Sequence, residues 1–289
     1  MSNLAKIVSA FALAAMCATS AMAAEEEGGI PDFYQGGGTW SSLDGVWNGY
    51  SGKNFDPPPS WAPGARGPIM WHPDHPQIGN GVDGFDPTPR IGDDTSPLLQ
   101  PWAQAHMRQI REAIVAGGVP FDPAARCWPA GVPAVVTFAN SPWQFLQFPN
   151  KVILLYQRGQ VARQIYLNEE HSAEPAPMWY GESVGHYEYG STLVIDTIGL
   201  TDKTTVDVFN TPHTESLHVG ERYHLYQGGQ RIELIFTVDD PETFTTPWSA
   251  SKTFQRGEGA IGEVLCQVNN DDRFNQGMRP VPFSDTPDF

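Results

Sequence analysis

The feature that most constrains the fold of this chain is a period-two alternation of apolar and polar residues, interrupted by short turn signals. It begins after Cys127 and continues to about Val268. Residues two apart in a strand share one face of a sheet, so this pattern indicates half-buried β-strands. The predicted strands are 135–139, 143–148, 152–157, 162–167, 184–189, 192–197, 219–226, 231–238, 249–256 and 263–268.

Tight turns connect most of these predicted strands. Asn, Gly and Ser residues typical of hairpins occur at 149–150, 158–159, 190–191 and 227–229. Many short strands with almost no helix between them predict an all-β fold built from an antiparallel up-and-down sheet. Such a sheet forms a sandwich or a barrel. A closed barrel is favoured because closure removes exposed edge strands and leaves room for one small ligand.

The region before the strands, 24–126, has a different composition, rich in Gly, Pro, Asp and aromatic residues. Proline fixes φ and lacks a backbone donor, so this region is predicted to be an irregular strap on the barrel, with one short strand near 45–50. One α-helix is predicted at about 101–116, where Pro101 suits the first turn and Gly117 ends the helical periodicity. The barrel domain is predicted to span 127–270, followed by a tail at 271–289.

Residues 1–23 have the pattern of a secretory signal peptide, with an apolar run from Ile7 to about Met16 and small residues before Ala23. The run is too short for a membrane-spanning helix, so no stable membrane insertion is expected. A periplasmic or secreted location is predicted. The formal net charge of −16 argues against a nucleic-acid partner, which requires a basic surface.

Two cysteines, Cys127 and Cys266, follow the predicted signal peptide. Exported compartments are oxidising, and a disulfide between these two residues is expected there. It would close a loop of more than a hundred residues and stabilise the fold by on the order of 4 to 5 kcal/mol. The alternative is two separate buried thiols.

Titratable residues concentrate in 211–226, TPHTESLHVGERYHLY. Alternation in the predicted strand 219–226 places Val219, Glu221 and Tyr223 on its more apolar face, and His218 on the opposite face with Arg222 and His224. Glu221 is therefore expected to point into the barrel.

Arg163 is expected to point inward as well, because it shares a strand face with Ile165 and Leu167. An unpaired buried charge costs several kcal/mol, so an inward Arg163 needs a partner, and Glu221 is the natural candidate. The alternation leaves the orientation of Asp196 open.

Three interpretations of this cluster remain. Glu221, or a histidine at the barrel mouth such as His213, could serve as an acid/base group tuned by burial and a neighbouring charge. The same residues could form only a buried ion pair and a solvated histidine face. A metal site is the third interpretation, disfavoured because His218 and His224 share a strand face that Glu221 does not. In 71–76, WHPDHP, a surface turn is favoured over a metal site. No metal and no cofactor are predicted.

Several segments of the chain resemble a large group of exported bacterial proteins of unknown function. RQIYLNEEH (163–171) resembles RxIYLDGRxH, and MWYGESVGHYEYGSTLVIDTIGLTD (178–202) resembles WxGxSxGxWEGDTLVVDTxGF. TPHTESLHVGERYHL (211–225) resembles PHSExLHVxERF, and TVDDPETFTTPW (237–248) resembles TVxDPxxYTxPW. The resemblance implies a β-rich, lipocalin-like body. The chain residues at the group's motif positions are Arg163, His171, Trp179, Asp196, His213, Glu215, His218 and Glu221.

Two functions are compatible with these features. The first is an exported, cofactor-independent acid/base enzyme, of hydratase, lyase, isomerase or hydrolase type, acting on a small apolar or aromatic molecule inside the barrel. Its predicted catalytic residues are Glu221, Arg163, His213 and His218, and its predicted substrate-binding residues are Tyr156, Tyr166, Trp179, Tyr187 and Tyr223. The second is a non-catalytic, lipocalin-like periplasmic binding protein for an apolar small molecule.

Overall fold

The computed structural model describes residues 47–49, 58–66, 69–76, 90–118, 120–123, 127–137, 142–189, 192–257 and 261–263. The predicted signal peptide, the turn at 190–191, all but the first residue of the strand at 263–268, and the tail at 271–289 lie outside these residues. Cys266 does too, so its pairing with Cys127 stays a prediction.

A single curled β-sheet forms the body of the protein, which confirms the predicted all-β barrel class. In chain order its strands are β1 Trp47–Gly49, β2 Ala65–Arg66, β3 Trp143–Phe148, β4 Lys151–Tyr156, β5 Val161–Leu167, β6 Glu182–Glu188, β7 Thr192–Ile198, β8 His218–Tyr226, β9 Arg231–Asp239 and β10 Trp248–Arg256. Strands β3 to β10 are neighbours in sequence order. Strand β1 pairs with both β10 and β3, so it joins the two ends of this series and closes the sheet.

The prediction of a wholly antiparallel sheet is wrong at one pair inside this ring. β5 and β6 run parallel, with Tyr166 opposite Val184 and Leu167 opposite Gly185, while the other neighbours in the ring are antiparallel. The ring contains nine strands, β1 and β3 to β10, and an odd number of strands cannot alternate in direction all the way round. The long connection from Asn168 to Gly181 makes the parallel pair possible, because a tight hairpin cannot join parallel strands. The short β2 also pairs in parallel, with β10.

The segment predicted as a strand at 135–139 begins as a helix. Residues Ala134–Thr137 form a short helix, α2, and all four are buried. A short run that is buried on every side has no alternation to distinguish strand from helix, and Pro133 immediately before it suits a helix start. The described residues therefore include a second helix, whose Thr137 carbonyl accepts a hydrogen bond of 3.2 Å from the buried Lys252.

The predicted helix is confirmed as α1, Pro101–Val115. Its buried side chains are Ala103, Met107 and Ile114, which lie on one face at helical spacing. In the described part of the chain, neither helix has the length and apolar character needed to cross a membrane.

Aromatic side chains fill much of the barrel interior. The ring of Trp143 lies 4.9 Å from the rings of Phe145 and Phe254, and 5.8 Å from that of Tyr223. These four residues are at most 4 % exposed. Edge-to-face contacts of this kind add to the stabilisation from burial, so the aromatic cluster is a principal part of the core.

The strap contributes directly to the barrel. Besides forming β1 and β2, it lies against the outer face of β10, where the Ser249 hydroxyl donates to the Pro63 carbonyl at 2.6 Å. Ser249 is fully buried although its side chain points away from the barrel interior. The strap therefore covers part of the outer surface of the sheet.

Candidate functional site

The predicted ion pair between Arg163 and Glu221 is present in the barrel interior. Arg163 Nη1 donates to Glu221 Oε1 at 3.1 Å and Nη2 donates to Oε2 at 2.5 Å. The Arg163 side chain is 1 % exposed and that of Glu221 is 0 % exposed. Strand alternation predicted that both side chains point inside. The structure brings Arg163 on β5 close enough to Glu221 on β8 for the two charges to pair.

Hydroxyl groups complete the surroundings of this pair. The Tyr223 hydroxyl donates to Glu221 Oε1 at 2.8 Å. Arg163 also donates to the hydroxyls of Ser183 and Thr197, at 3.1 and 2.8 Å from Nη2. Each charge is thus neutralised and hydrogen-bonded, which is the condition under which a buried ion pair is tolerated.

Burial and the charge of Glu221 both shift the titration of this interior cluster. Burial lowers the pKa of Arg163, but the charge and hydrogen bonds of Glu221 outweigh that effect and raise it. Burial also raises the pKa of Tyr156 and of Tyr223. The Tyr156 hydroxyl lies close enough to Arg163 and Tyr223 to feel their charge and hydrogen bonding, but it makes no hydrogen bond of good geometry within the described residues. At neutral pH both phenols therefore remain protonated.

A second polar cluster lies on the outer face of the barrel, where β6, β7 and β8 are adjacent. Asp196 accepts from two imidazoles, with Oδ1 2.5 Å from His218 Nε2 and Oδ2 2.9 Å from His171 Nε2. His171 Nδ1 in turn lies 3.0 Å from Glu182 Oε1. The Ser172 hydroxyl and backbone N–H both donate to Glu182, at 2.5 and 2.7 Å. We call the four residues His171, Glu182, Asp196 and His218 the outer-face cluster.

Solvent reaches the outer-face cluster, unlike the interior pair. The side chains of His218 and Asp196 are 46 % and 44 % exposed, and those of His171 and Glu182 are 18 % and 20 % exposed. The cluster therefore presents the half-exposed imidazole of His218 and carboxylate of Asp196 to solvent. The more buried imidazole of His171 and carboxylate of Glu182 support them.

The hydrogen bonds within this cluster shift the titration of its members. The hydrogen bond with Asp196 raises the pKa of His218, and the same bond is the largest cause of a lowered pKa at Asp196. Hydrogen bonds from Ser172 lower the pKa of Glu182. Asp196 and Glu182 are thus held ionised, and His218 binds its proton more tightly than a free imidazole does.

Proton positions on the two imidazoles follow from their partners. His218 Nε2 donates to Asp196, and no described residue bonds to its Nδ1, so the neutral ring presents a free lone pair there. Both nitrogens of His171 face carboxylates, which only accept, so both bonds form only when that ring is protonated. The cluster can therefore exchange protons at His218 Nδ1 while Asp196 and His171 keep the ring oriented.

His213 belongs to neither cluster. It is 3 % exposed, with Nε2 2.7 Å from the Thr204 hydroxyl and Nδ1 donating to the Thr214 carbonyl at 2.8 Å. Burial lowers its pKa. Its neighbour Thr214 is fixed by Asp240, whose carboxylate accepts from the Thr214 N–H at 2.7 Å and from the Thr214 hydroxyl at 3.0 Å. His213 thus sits in an anchored loop, and the four predicted catalytic residues occupy three separate places.

The predicted substrate-binding residues also lie in different parts of the structure. Tyr156 and Tyr223 line the interior near the ion pair, and Tyr187 is buried with its hydroxyl donating to Gln147. Tyr166, on β5, is 39 % exposed and points outward. Trp179 lies in the connection before β6, where its ring makes an edge contact with Trp128 at 5.1 Å. Only three of the five therefore face the barrel interior.

One group of residues could hold a metal ion by distance alone. His72, Asp93 and Asp94 offer ligand atoms that all lie within 4.8 Å of one another. The surface turn predicted at 71–76 is present, but its His72 is 5 % exposed and faces the fully buried Asp94 at 3.4 Å. No sequence pattern indicated this partner, which lies about twenty residues further along the chain.

The surroundings of that group do not suit a cation. Arg108 and Arg111 lie 3.4 and 3.2 Å from Asp94 Oδ2 and already neutralise it. His72 Nδ1 accepts from the Asp74 N–H at 3.1 Å, which places the ring proton on Nε2, the nitrogen that faces Asp94. A metal at that nitrogen would compete with the proton, so these residues fit a buried charge cluster better than a metal centre.

Sequence reasoning missed the outer-face cluster as a unit. His171 was noted only as a motif position, and Glu182 was not singled out. Alternation left Asp196 unassigned because both faces of 192–197 mix apolar and polar residues, whereas the pairing of Asp196 with Gly220 on β8 fixes it on the outer face. The resemblance to the motifs was the sequence signal for this cluster, because three of the motif positions, His171, Asp196 and His218, lie together in it.

Comparison with known proteins gives no relative from which a role could be taken. The sequence matches no protein-family model and no curated protein sequence.

Proposed function

We propose that this protein is an exported, cofactor-independent acid/base enzyme of the hydratase, lyase, isomerase or hydrolase type, acting on a small molecule. The observation that carries the proposal is the outer-face cluster, in which one carboxylate accepts hydrogen bonds from two imidazoles, one of them half-exposed. The proposed site lies on the outer face, because Glu221 in the interior is 0 % exposed and its carboxylate is saturated by Arg163 and Tyr223.

In the proposed mechanism His218 Nδ1 takes a proton from the substrate as general base. Asp196 fixes the tautomer through Nε2 and stabilises the imidazolium that forms, which is the role of the carboxylate in a base-orienting pair. His171 and Glu182 are positioning residues that hold Asp196 in place. The imidazolium then returns its proton to a neighbouring atom of the substrate or to a leaving group, so no net proton is consumed.

Export is part of the proposal and is supported by the pattern of 1–23, with a periplasmic or secreted location. It also agrees with the predicted disulfide between Cys127 and Cys266. The formal charge of −16 favours a small-molecule substrate over a nucleic acid.

A second candidate function is retention of an apolar molecule without conversion. The complete pairing of Arg163 with Glu221 favours it, because an ion pair of this kind can stabilise a barrel without taking part in chemistry. The two functions differ in whether the protein exchanges protons with what it binds.

Deuterium incorporation separates the two functions. The purified protein is incubated in D₂O with small aromatic, terpenoid and glycosidic compounds, which are then returned to H₂O to remove deuterium from O–H and N–H groups. Product formation and the deuterium that remains at carbon are measured by mass spectrometry. An acid/base enzyme labels or converts a compound, whereas a binding protein returns it unlabelled. His218→Gln should reduce the rate by roughly 100-fold or more, the usual contribution of a general base.

His224→Gln is the matched control, since His224 lies on the same strand and face but is bonded to the Thr192 hydroxyl at 3.0 Å, and no carboxylate of the described residues bonds to it. It should keep the full rate. Equal rates in the wild type and His218→Gln would refute the proposed mechanism, and retention with no label in any compound would favour the binding protein.

A further inference from the structure

The outer-face cluster borders a gap in the surface of the sheet. The outward positions of β8 are, in order, His218, Gly220, Arg222 and His224. Adjacent outward positions on one strand are about 6.6 Å apart, so the glycine opens a gap of roughly 13 Å between His218 and Arg222. No described atom lies within 4 Å of the place where a Cβ of Gly220 would be, so the space above it is open.

One side of this gap is the outer-face cluster. Gly220 is directly opposite Asp196 on β7, and it lies two residues from His218. The groups proposed to move protons therefore stand at the edge of the gap, with His218 Nδ1 free to accept a hydrogen bond from a bound molecule.

The opposite side of the gap is formed by the strap. On β9, Thr237 lies opposite Gly220, and the hydroxyl of Thr237 is 2.7 Å from that of Ser249 on β10. Ser249 in turn donates to the Pro63 carbonyl at 2.6 Å. Two residues before Pro63, the Trp61 indole lies 6.0 Å from the guanidinium of Arg222 and is 61 % exposed. The strap thus brings an exposed aromatic face to the gap.

The charges around the gap determine the charge of the molecule that can bind there. Arg222 is already neutralised by Glu188, with bonds of 2.6 and 3.3 Å. Asp196 lies beside the gap, and Asp239 is close enough to raise the pKa of His218. An anionic molecule would therefore be repelled, whereas a neutral one would not.

We propose that the Gly220 gap is the substrate-binding site, and that it takes a neutral molecule with a planar ring and a hydroxyl group. The ring stacks on Trp61, and the hydroxyl donates to His218 Nδ1. This inference rests on the proposed function for its choice of His218 as base, but the binding it describes is measured separately from turnover. It also gives the Pro-rich strap a role, since the strap supplies one side of the site.

The test uses Gly220→Val with 2-naphthol as the probe. A valine side chain would enter open space and favours strands, so the variant should fold, which thermal unfolding by circular dichroism verifies. Binding is followed by NMR through the ring nitrogens of His218 and the indole N–H of Trp61. Ala162→Val is the matched control, because Ala162 is an exposed position on the outer face of β5, outside the proposed site.

The wild type and Ala162→Val should bind 2-naphthol with shifts at both His218 and Trp61, and Gly220→Val should bind at least about tenfold more weakly, or 1.4 kcal/mol. The inference is overturned if the wild type does not bind, if the shifts avoid these two residues, or if Gly220→Val binds as tightly as the wild type. Binding at the gap with no deuterium label in any compound would overturn the proposed function and leave the binding site standing.

Discussion

Replacing Glu221 by Gln tests whether the interior ion pair is chiefly structural. Gln has nearly the same size as Glu and can still accept a hydrogen bond from Tyr223, which now donates to Glu221 at 2.8 Å. The change therefore removes the negative charge with little change in packing. Arg163, which is 1 % exposed, is left with its charge unbalanced in the core.

The expected loss is large because Arg163 has no route to solvent at this burial. Its remaining partners in the site, the hydroxyls of Ser183 and Thr197, are neutral. Removing one partner of a buried ion pair typically destabilises a protein by about 3 to 5 kcal/mol. We expect Glu221→Gln to lower the free energy of unfolding by about 3 kcal/mol. This is the lower end of that range, because the amide oxygen of Gln can still accept a hydrogen bond.

Removing both charges should restore most of this loss. The double variant Arg163→Met, Glu221→Leu removes both charges of this pair, and Ser183 and Thr197 can still bond to each other at 3.0 Å. Replacement of both partners by apolar residues is often neutral or stabilising. The double variant should therefore be more stable than Glu221→Gln alone.

Guanidinium chloride unfolding, followed by far-UV circular dichroism, measures both effects. Glu188→Gln is the control, because Glu188 forms a half-exposed ion pair with Arg222 on the outer face, for which a loss below about 1 kcal/mol is expected. If Glu221→Gln were no less stable than Glu188→Gln, the argument that the interior pair stabilises the barrel would be wrong.

Two further predictions concern pH. In the wild type, NMR should show a raised pKa for His218, and Asp196→Asn should return it toward the ordinary value near 6.5, because the carboxylate is the cause of the shift. The raised pKa of His218 stabilises the folded state below about pH 6.5, and this stabilisation is lost as the pH rises through the folded-state pKa. The lowered pKa of Asp196 stabilises the folded state above about pH 4, and this stabilisation is lost as the pH falls through the folded-state pKa. Unchanged His218 titration in the variant would contradict this pairing. Burial raises the pKa of Asp207 to about 6, so the folded state keeps this proton where the unfolded state has lost it. Stability from this group should fall by on the order of 2 kcal/mol between pH 4 and 7, and Asp207→Asn, compared by denaturant unfolding at both pH values, should remove that slope.

Strand alternation predicted much of the barrel from the sequence. It predicted the position of β3 to β10 to within two residues at each end, because most of these strands bury one face more completely than the other. The same rule placed Arg163 and Glu221 inside, and the cost of a buried unpaired charge then predicted their contact. Alternation could not predict α2, which is buried on every side, or the orientation of Asp196, whose strand has apolar and polar residues on both faces.

What the sequence by itself determined is the face on which most side chains of a strand lie, with Asp196 as an exception, and with it the all-β class and the interior ion pair. Those properties depend on the two-residue period, which is local. Only the tertiary structure decided which strands are neighbours, that an odd ring of nine strands requires a parallel pair, and that the strap closes the sheet. It also brought together His171, Asp196 and His218, which lie up to 47 residues apart, because strand pairing relates positions that no local pattern connects.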